Sequence, residues 1–277
     1  MIAAVLATGS AAAWGVADFL GGLLSRRLPL VGVVVLSQAF GVAALVAAAV
    51  SARLPVHWSA FELGLYGGLC GGTGLAAYYR ALAIGTMSIV SPIAACGALV
   101  PLGLALAGGE RPTALALGGA TLALTGAVMA SFHEHRGGGA GREAVLLAVL
   151  TALMFGGLLY FLGRASEGGE SFSALFGARS GSLSVVAVWA LLLRPAFLIG
   201  LRPLVLVAVV GLLSTGANGL YALASERGLL SIVAVLASLY PVTTVLLAHL
   251  ILAERLVPVQ RLGVTLALSG VALVVAG

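Results

Sequence analysis

The chain reads as an all-α integral membrane protein with ten transmembrane helices arranged as two inverted five-helix repeats (5+5), and three observations lead there. Of its 277 residues, 61% are hydrophobic and only 8% charged, with a mean hydropathy of +1.17; a soluble globular domain carries roughly 25% charged residues. Charges, prolines and glycine clusters divide the chain into ten apolar stretches, each near the ~20 residues that a helix needs to cross a bilayer. The stretch Gly68 to Ala130 is also written a second time as Gly211 to Val274. A membrane barrel would alternate polar and apolar residues over about ten positions, and that pattern is absent.

The ten segments fall at 2–24, 30–52, 61–83, 86–107, 112–132, 144–163, 171–193, 203–225, 228–252 and 256–276. The first is apolar and alanine-rich but lacks the positively charged start of a signal peptide. It also has a counterpart, since Ser10, Trp14, Gly15 and Phe19 lie over Thr151, Phe155, Gly156 and Tyr160 at an offset of 141. It is therefore expected to stay in the mature protein as a helix of the first repeat. The one sizeable polar break is His133 to Glu143, whose Gly137-Gly138-Gly139-Ala140-Gly141 has the composition of a flexible linker. The expected organisation is a first repeat at 1–132, a linker at 133–143 and a second repeat at 144–277.

The duplication is close. Tyr78, Ala81, Gly85, Ser88, Ile89 and Val90 match Tyr221, Ala224, Gly228, Ser231, Ile232 and Val233 at an offset of 143. At 144, Glu110, Arg111, Gly119, Thr121 and Gly126 match Glu254, Arg255, Gly263, Thr265 and Gly270. Five helices per copy is an odd number, so the second copy enters the membrane from the opposite side. Inverted repeats of this kind recur in secondary transporters, with a site near the midplane between the copies.

These residues resemble the EamA family of the drug/metabolite transporter superfamily, which includes YddG-like amino acid and metabolite exporters. In the first copy the resemblance rests on Tyr79-Arg80-Ala81-Leu82, Gly85, Ser88 to Pro92, Gly109-Glu110-Arg111 and Gly118 to Gly126. In the second it rests on Tyr221 to Ala224, Gly228, Ser231 to Val235, Tyr240-Pro241-Val242, Glu254-Arg255 and Gly263 to Gly270. It implies a 5+5 inverted fold and export of small organic solutes, amino acids or related metabolites, by alternating access across a bacterial cytoplasmic membrane. It also implies a cavity lined by the first, third, fourth, sixth, eighth and ninth segments. Pro92 and Pro101 do not coincide with Pro241 under the repeat, so the bends of the two halves are expected to differ. A flippase for a lipid-linked carrier and a non-transporting membrane scaffold are the alternative functions.

Orientation is contested. All fourteen basic residues are Arg, and nine fall on the side opposite the termini against five, which by the positive-inside rule puts both termini outside. The resemblance implies both in the cytoplasm.

Ionisable groups inside a bilayer are costly and tend to face cavities or partners. Asp18 is the only acid well inside a segment, and it shares a helix face with Trp14. Two readings of it stand: a lumenal carboxylate that binds a proton or a substrate ammonium group, or an interfacial residue paired with Arg26 or Arg27. Arg179 lies nine residues into the seventh segment and reads as snorkelling outward. Asn218 and Tyr221 share a face, and the repeat sets Tyr221 over Tyr78, a symmetric aromatic pair suited to an amphipathic solute; tyrosines also mark the headgroup region. Trp14, Tyr79, Phe155, Tyr160 and Tyr240 are further candidates. The substrate-binding set is thus Trp14, Asp18, Tyr78, Tyr79, Phe155, Asn218, Tyr221 and Tyr240. Gln38 and His249 read as single polar groups bonded to a neighbouring helix.

Other chemistries are excluded. No glycine run follows a strand or precedes Gly-Lys-Ser/Thr, so no phosphate loop is present. Cys70 and Cys96 lack metal-ligand spacing and read as packing residues, and His133-Glu134-His135 reads as a solvated turn. No enzyme activity, cofactor or metal is expected. The formal charge of +5 is spread over loops, which suits anionic lipid headgroups and not nucleic acid. Glycine spacings at Gly64, Gly68 and Gly72 suit close helix packing, within the bundle or between protomers, so a monomer and a homodimer are both open.

Overall fold

A computed structural model of the chain describes residues 1–25, 28–84, 90, 93–130, 141–193, 200–252 and 257–276. Among them there is no strand. Among the described residues the α-helices that can be bounded are α1 (Ile2–Ser25), α2 (Leu30–Ala52), α3 (Trp58–Ile84), α4 (Leu99–Ala107), α5 (Ala114–Ala130), α6 (Arg142–Ser166), α7 (Ser171–Leu193), α8 (Leu201–Ser225), α9 (Leu230–Ala237), α10 (Tyr240–Leu252) and α11 (Pro258–Ala276). A 3₁₀ turn at Cys96–Ala98 precedes α4. Helices are the form these sequences must take in lipid, because a helix satisfies its backbone N–H and C=O groups internally.

Among the described residues seven helical stretches are long and apolar enough to cross a membrane: Ile2–Leu24, Leu30–Ala52, Arg142–Ser166, Ser171–Leu193, Leu201–Ser225, Leu230–Leu252 and Pro258–Ala276. Ile93–Ala107 and Ala114–Ala130 are apolar but shorter. Helix α3 has 27 residues, and its six glycines between 64 and 74 dilute its hydropathy. The expected linker centre, His133-Glu134-His135, and the pair Glu254-Arg255 lie outside the described residues.

The ninth expected segment is one stretch of sequence but two helices. Pro241 lacks an N–H, and its ring conflicts with the carbonyl four residues back, so α9 stops at Ala237 and α10 starts at Tyr240. The first half is interrupted near the corresponding place, where the 3₁₀ turn Cys96–Ala98 stands three to five residues ahead of Pro101. The two interruptions therefore fall in closely corresponding registers although Pro101 and Pro241 do not coincide; Pro92 lies outside the described residues.

Packing links the halves. Helix α5 lies along α11, α3 along α6 and α7, and α8 along α1 and α2. The contacts recur with the halves exchanged. A methyl group at Gly68 would fall on the carbonyl of Ala178, and one at Gly211 on the carbonyl of Ser37. Gly119 lies against the backbone of Gly270, and Gly126 against that of Gly263. Gly15 meets the Tyr240 carbonyl, while Gly156 meets that of Gly97. Ser10 Oγ donates to the Ala217 carbonyl at 2.8 Å, and Thr151 Oγ1 reaches the Gly74 carbonyl at 3.5 Å. Lipid tails are as apolar as leucine, so helix association here depends on such close backbone approach and on interhelical hydrogen bonds.

At the end of the bundle where α1 begins, Ala3 touches Gly228. There Glu110, in the turn between α4 and α5, caps the start of α9, accepting from Leu230 N at 2.9 Å and Ser231 N at 3.0 Å. The carboxylate satisfies two orphan amides and complements the helix dipole.

Gly68→Ala should lower stability by about 1–3 kcal/mol, because the backbone of α7 has nowhere to move. Gly103→Ala, where no atom lies within 4 Å of the added methyl, should be neutral or stabilising. Thermal unfolding of both variants in detergent separates packing from helix propensity.

Candidate functional site

Between the packed helices lies a cavity of about 690 Å³, a volume within the range of small-molecule sites. Every helix named in the fold except α5, α11 and the two short pieces α4 and α9 lends it residues, and the turns ahead of α4 and α10 line it as well. Trp14 and Asp18 come from α1, Ser37 and Gln38 from α2, Tyr78 from α3, and Phe155 from α6. Arg179 and Ser182 come from α7, Ser214 and Asn218 from α8, and Tyr240 and Thr244 from α10. Along α1 the lining runs from Trp14 to Gly22, away from the end that Glu110 caps.

The two helix breaks open onto it. Ala95, Gly97 and Ala98 line it from the first half, and Ser238, Tyr240 and Pro241 from the second. Broken helices at the midplane are tolerated where they border a cavity, since the freed carbonyls then have somewhere to find partners.

Six of the eight expected binding residues converge on this cavity: Trp14, Asp18, Tyr78, Phe155, Asn218 and Tyr240. Tyr221 does not. It is fully buried behind the wall, where its hydroxyl donates to the Leu159 carbonyl at 2.7 Å. The side chain of Tyr79 lies outside the described residues. Tyr160 packs on Phe161 with ring centroids 5.5 Å apart, and it is not part of the lining. His249 is exposed on α10.

The aromatic side chains are arranged reciprocally. Trp14 packs on Tyr221 with centroids 6.1 Å apart, and their repeat counterparts Phe155 and Tyr78 stand 6.2 Å apart. Trp14 also meets Tyr240 edge-on at 6.4 Å. The equivalence stops at the lumen, because Tyr78 reaches the cavity and Tyr221 is sealed from it.

Asp18 is exposed and lines the cavity. Among the described residues it has no hydrogen bond and no ion pair, and its expected interfacial partners Arg26 and Arg27 lie outside them. Arg179 corrects the sequence reading. It does not snorkel: it is 3% exposed and turns inward, where Nη1 donates to Gln38 Oε1 at 2.8 Å and Nη2 to Ser214 Oγ at 2.8 Å. Its Nε has no partner among the described residues. Position alone could not have revealed this, since a residue nine places into a helix is equally able to reach the interface. The available signal was the repeat, in which Arg179 stands over Gln38 at the offset of 141 that relates Trp14 to Phe155. Equivalent residues of two copies can touch only near the axis that relates them.

Tyr221→Phe should cost about 1 kcal/mol of stability, the usual worth of one buried hydrogen bond, and should leave the affinity of this conformation for ligand unchanged because the ring is outside the lining. Denaturation in detergent together with a binding titration checks both halves of that expectation.

Comparison with known proteins agrees with the geometry. Residues 142–276 match the EamA-like transporter family. A crystal structure of another protein superposes with a TM-score of 0.79 over 98% of this chain and 95% of the other, at 20% sequence identity, a likeness that establishes a shared fold. No curated protein matches the chain. Residues 142–276 thus carry the match to the EamA-like transporter family, and the long apolar helices along the chain are those of a multi-pass membrane protein.

Proposed function

We propose that the protein is a secondary transporter with ten membrane crossings in two inverted five-helix repeats, residues 1–132 and 144–277 joined by a linker at 133–143. It exports small organic solutes, amino acids or related metabolites, across a bacterial cytoplasmic membrane by alternating access. One observation carries this reading: a largely apolar, aromatic-lined cavity of about 690 Å³ with polar groups in its wall is bordered by helices of both halves, at interruptions of two helices in closely corresponding registers. The reciprocal contacts at Gly68 and Gly211 and at Gly119 and Gly126 support the inverted arrangement.

Departures from that reciprocity are what a transporter caught in one of its two states would have. Tyr78 faces the lumen while Tyr221 is sealed, and Glu110 clamps one end of the bundle. In the opposite state the halves exchange roles, so Tyr221 becomes accessible. Asp18, with an exposed carboxylate on the lumen, has the chemistry to take up a proton or hold a substrate ammonium group. The lining contains a single basic residue among those described, which disfavours a lipid-linked phosphate as cargo.

Counterflow in proteoliposomes, with a panel of amino acids and metabolites and with or without a pH gradient, tests the function. Uptake of tracer is expected with at least one solute, and Asp18→Asn should abolish any response to the gradient while binding persists. Absence of flux across the panel from folded, reconstituted protein would turn the assignment to a lipid-carrier flippase or a scaffold.

A further inference from the structure

We propose that Arg179, braced between Gln38 and Ser214 where the two halves meet, is a carboxylate-binding subsite of the cavity that takes the acid group of a monoanionic or zwitterionic organic solute. This rests on reading the cavity as the solute site, and it adds the chemistry by which one end of the solute is held.

The argument begins with an uncompensated charge. Arg179 is 3% exposed, yet both partners of its guanidinium are neutral, the amide of Gln38 and the hydroxyl of Ser214. A buried ion held only by neutral dipoles is expensive, and natural proteins retain such a group where a ligand or partner completes it. Its Nε–H is left without an acceptor among the described residues, although buried donors are almost always satisfied. Arg179 also borders the cavity. A planar carboxylate entering there would accept from Nε–H and a neighbouring N–H together, the fork geometry for which arginine is suited and lysine is not.

The rest of the lining selects the class of anion. Among the described residues that line the cavity, Arg179 is the one base and Asp18 the one acid. A phosphate dianion would meet a single guanidinium and be repelled by Asp18. A carboxylate needs only one partner, and a solute with an ammonium group as well would complement both charges. Trp14, Tyr78, Phe155 and Tyr240 offer ring surface to an apolar side chain.

A guanidinium that merely braces α7 against α2 and α8 would be indifferent to whether the solute carries a carboxylate, and this distinguishes the roles. Purified full-length protein is titrated with L-leucine, N-acetyl-L-leucine and L-leucinamide, and binding is followed by quenching of tryptophan fluorescence, to which Trp14 reports from the cavity wall. Wild type should bind both carboxylates at least tenfold more tightly than the amide. R179Q should erase that preference, and R179K should restore only part of it. Should R179Q fail to fold, Q38E decides: it keeps the contact with Arg179 but supplies an internal carboxylate, and should weaken N-acetyl-L-leucine about tenfold without weakening L-leucinamide.

Equal affinity of wild type for the carboxylates and the amide, no binding of any of the three, or a preference that survives R179Q and Q38E overturns the subsite. Counterflow of L-leucine in the same preparations separates it from the transport reading. Carboxylate-selective binding without flux leaves the subsite standing and removes the transporter, whereas flux indifferent to Arg179 does the reverse.

Discussion

Where Gly68 meets the carbonyl of Ala178, Gly211 that of Ser37, and Gly126 the backbone of Gly263, one helix lies directly on another with no side chain between them. Inside a bilayer the hydrophobic effect does not press helices together, so contact area and interhelical hydrogen bonds must do so. Glycine makes both available by removing the Cβ that would hold the backbones apart. The cavity depends on these contacts. Helices seated so closely at their glycines diverge elsewhere, and the space they leave is bordered by the residues that interrupt the ninth segment and its counterpart.

Reciprocity in the contacts makes the exceptions to it informative. Equivalent aromatic pairs, Trp14 with Tyr221 and Phe155 with Tyr78, have nearly the same spacing, yet only the second opens to the lumen at its tyrosine. Equivalent residues Gln38 and Arg179 meet each other, and there the duplication has diverged to place a cation against an amide. A two-fold relation brings such a pair together at one place only, so a single substitution in one copy creates a polar centre without a matching second one. A duplicated protein can in this way keep a near-symmetric scaffold around an asymmetric site.

Much of the site was legible in the chain. Trp14 and Asp18 are four residues apart on one helix, and the repeat register pointed from Trp14 to Phe155 and from Tyr221 to Tyr78; four of those residues other than Tyr221 do reach the cavity. Tyr221 lies behind the wall: alignment gives equivalence of position along a helix, while access to the lumen depends on how the surrounding helices pack. Glu110 stood out as a repeat marker, but its role as a cap on α9, 120 residues away in sequence, depends on a turn folding back across the end of the bundle.

What the sequence by itself determined is whatever follows from solvent and periodicity: helices, because lipid allows few alternatives; two related halves, because the same spacing is written twice; and a break near Pro241, because proline cannot continue the ladder of hydrogen bonds. Only the tertiary structure decided what Arg179 does. The same side chain, at the same depth, reaches the membrane surface if its helix is rotated one way and the cavity if rotated the other, and the rotation is fixed by Gly64, Gly68 and Gly72 of α3 packing on α7. The charge went inward because the glycine seam did not leave it another direction.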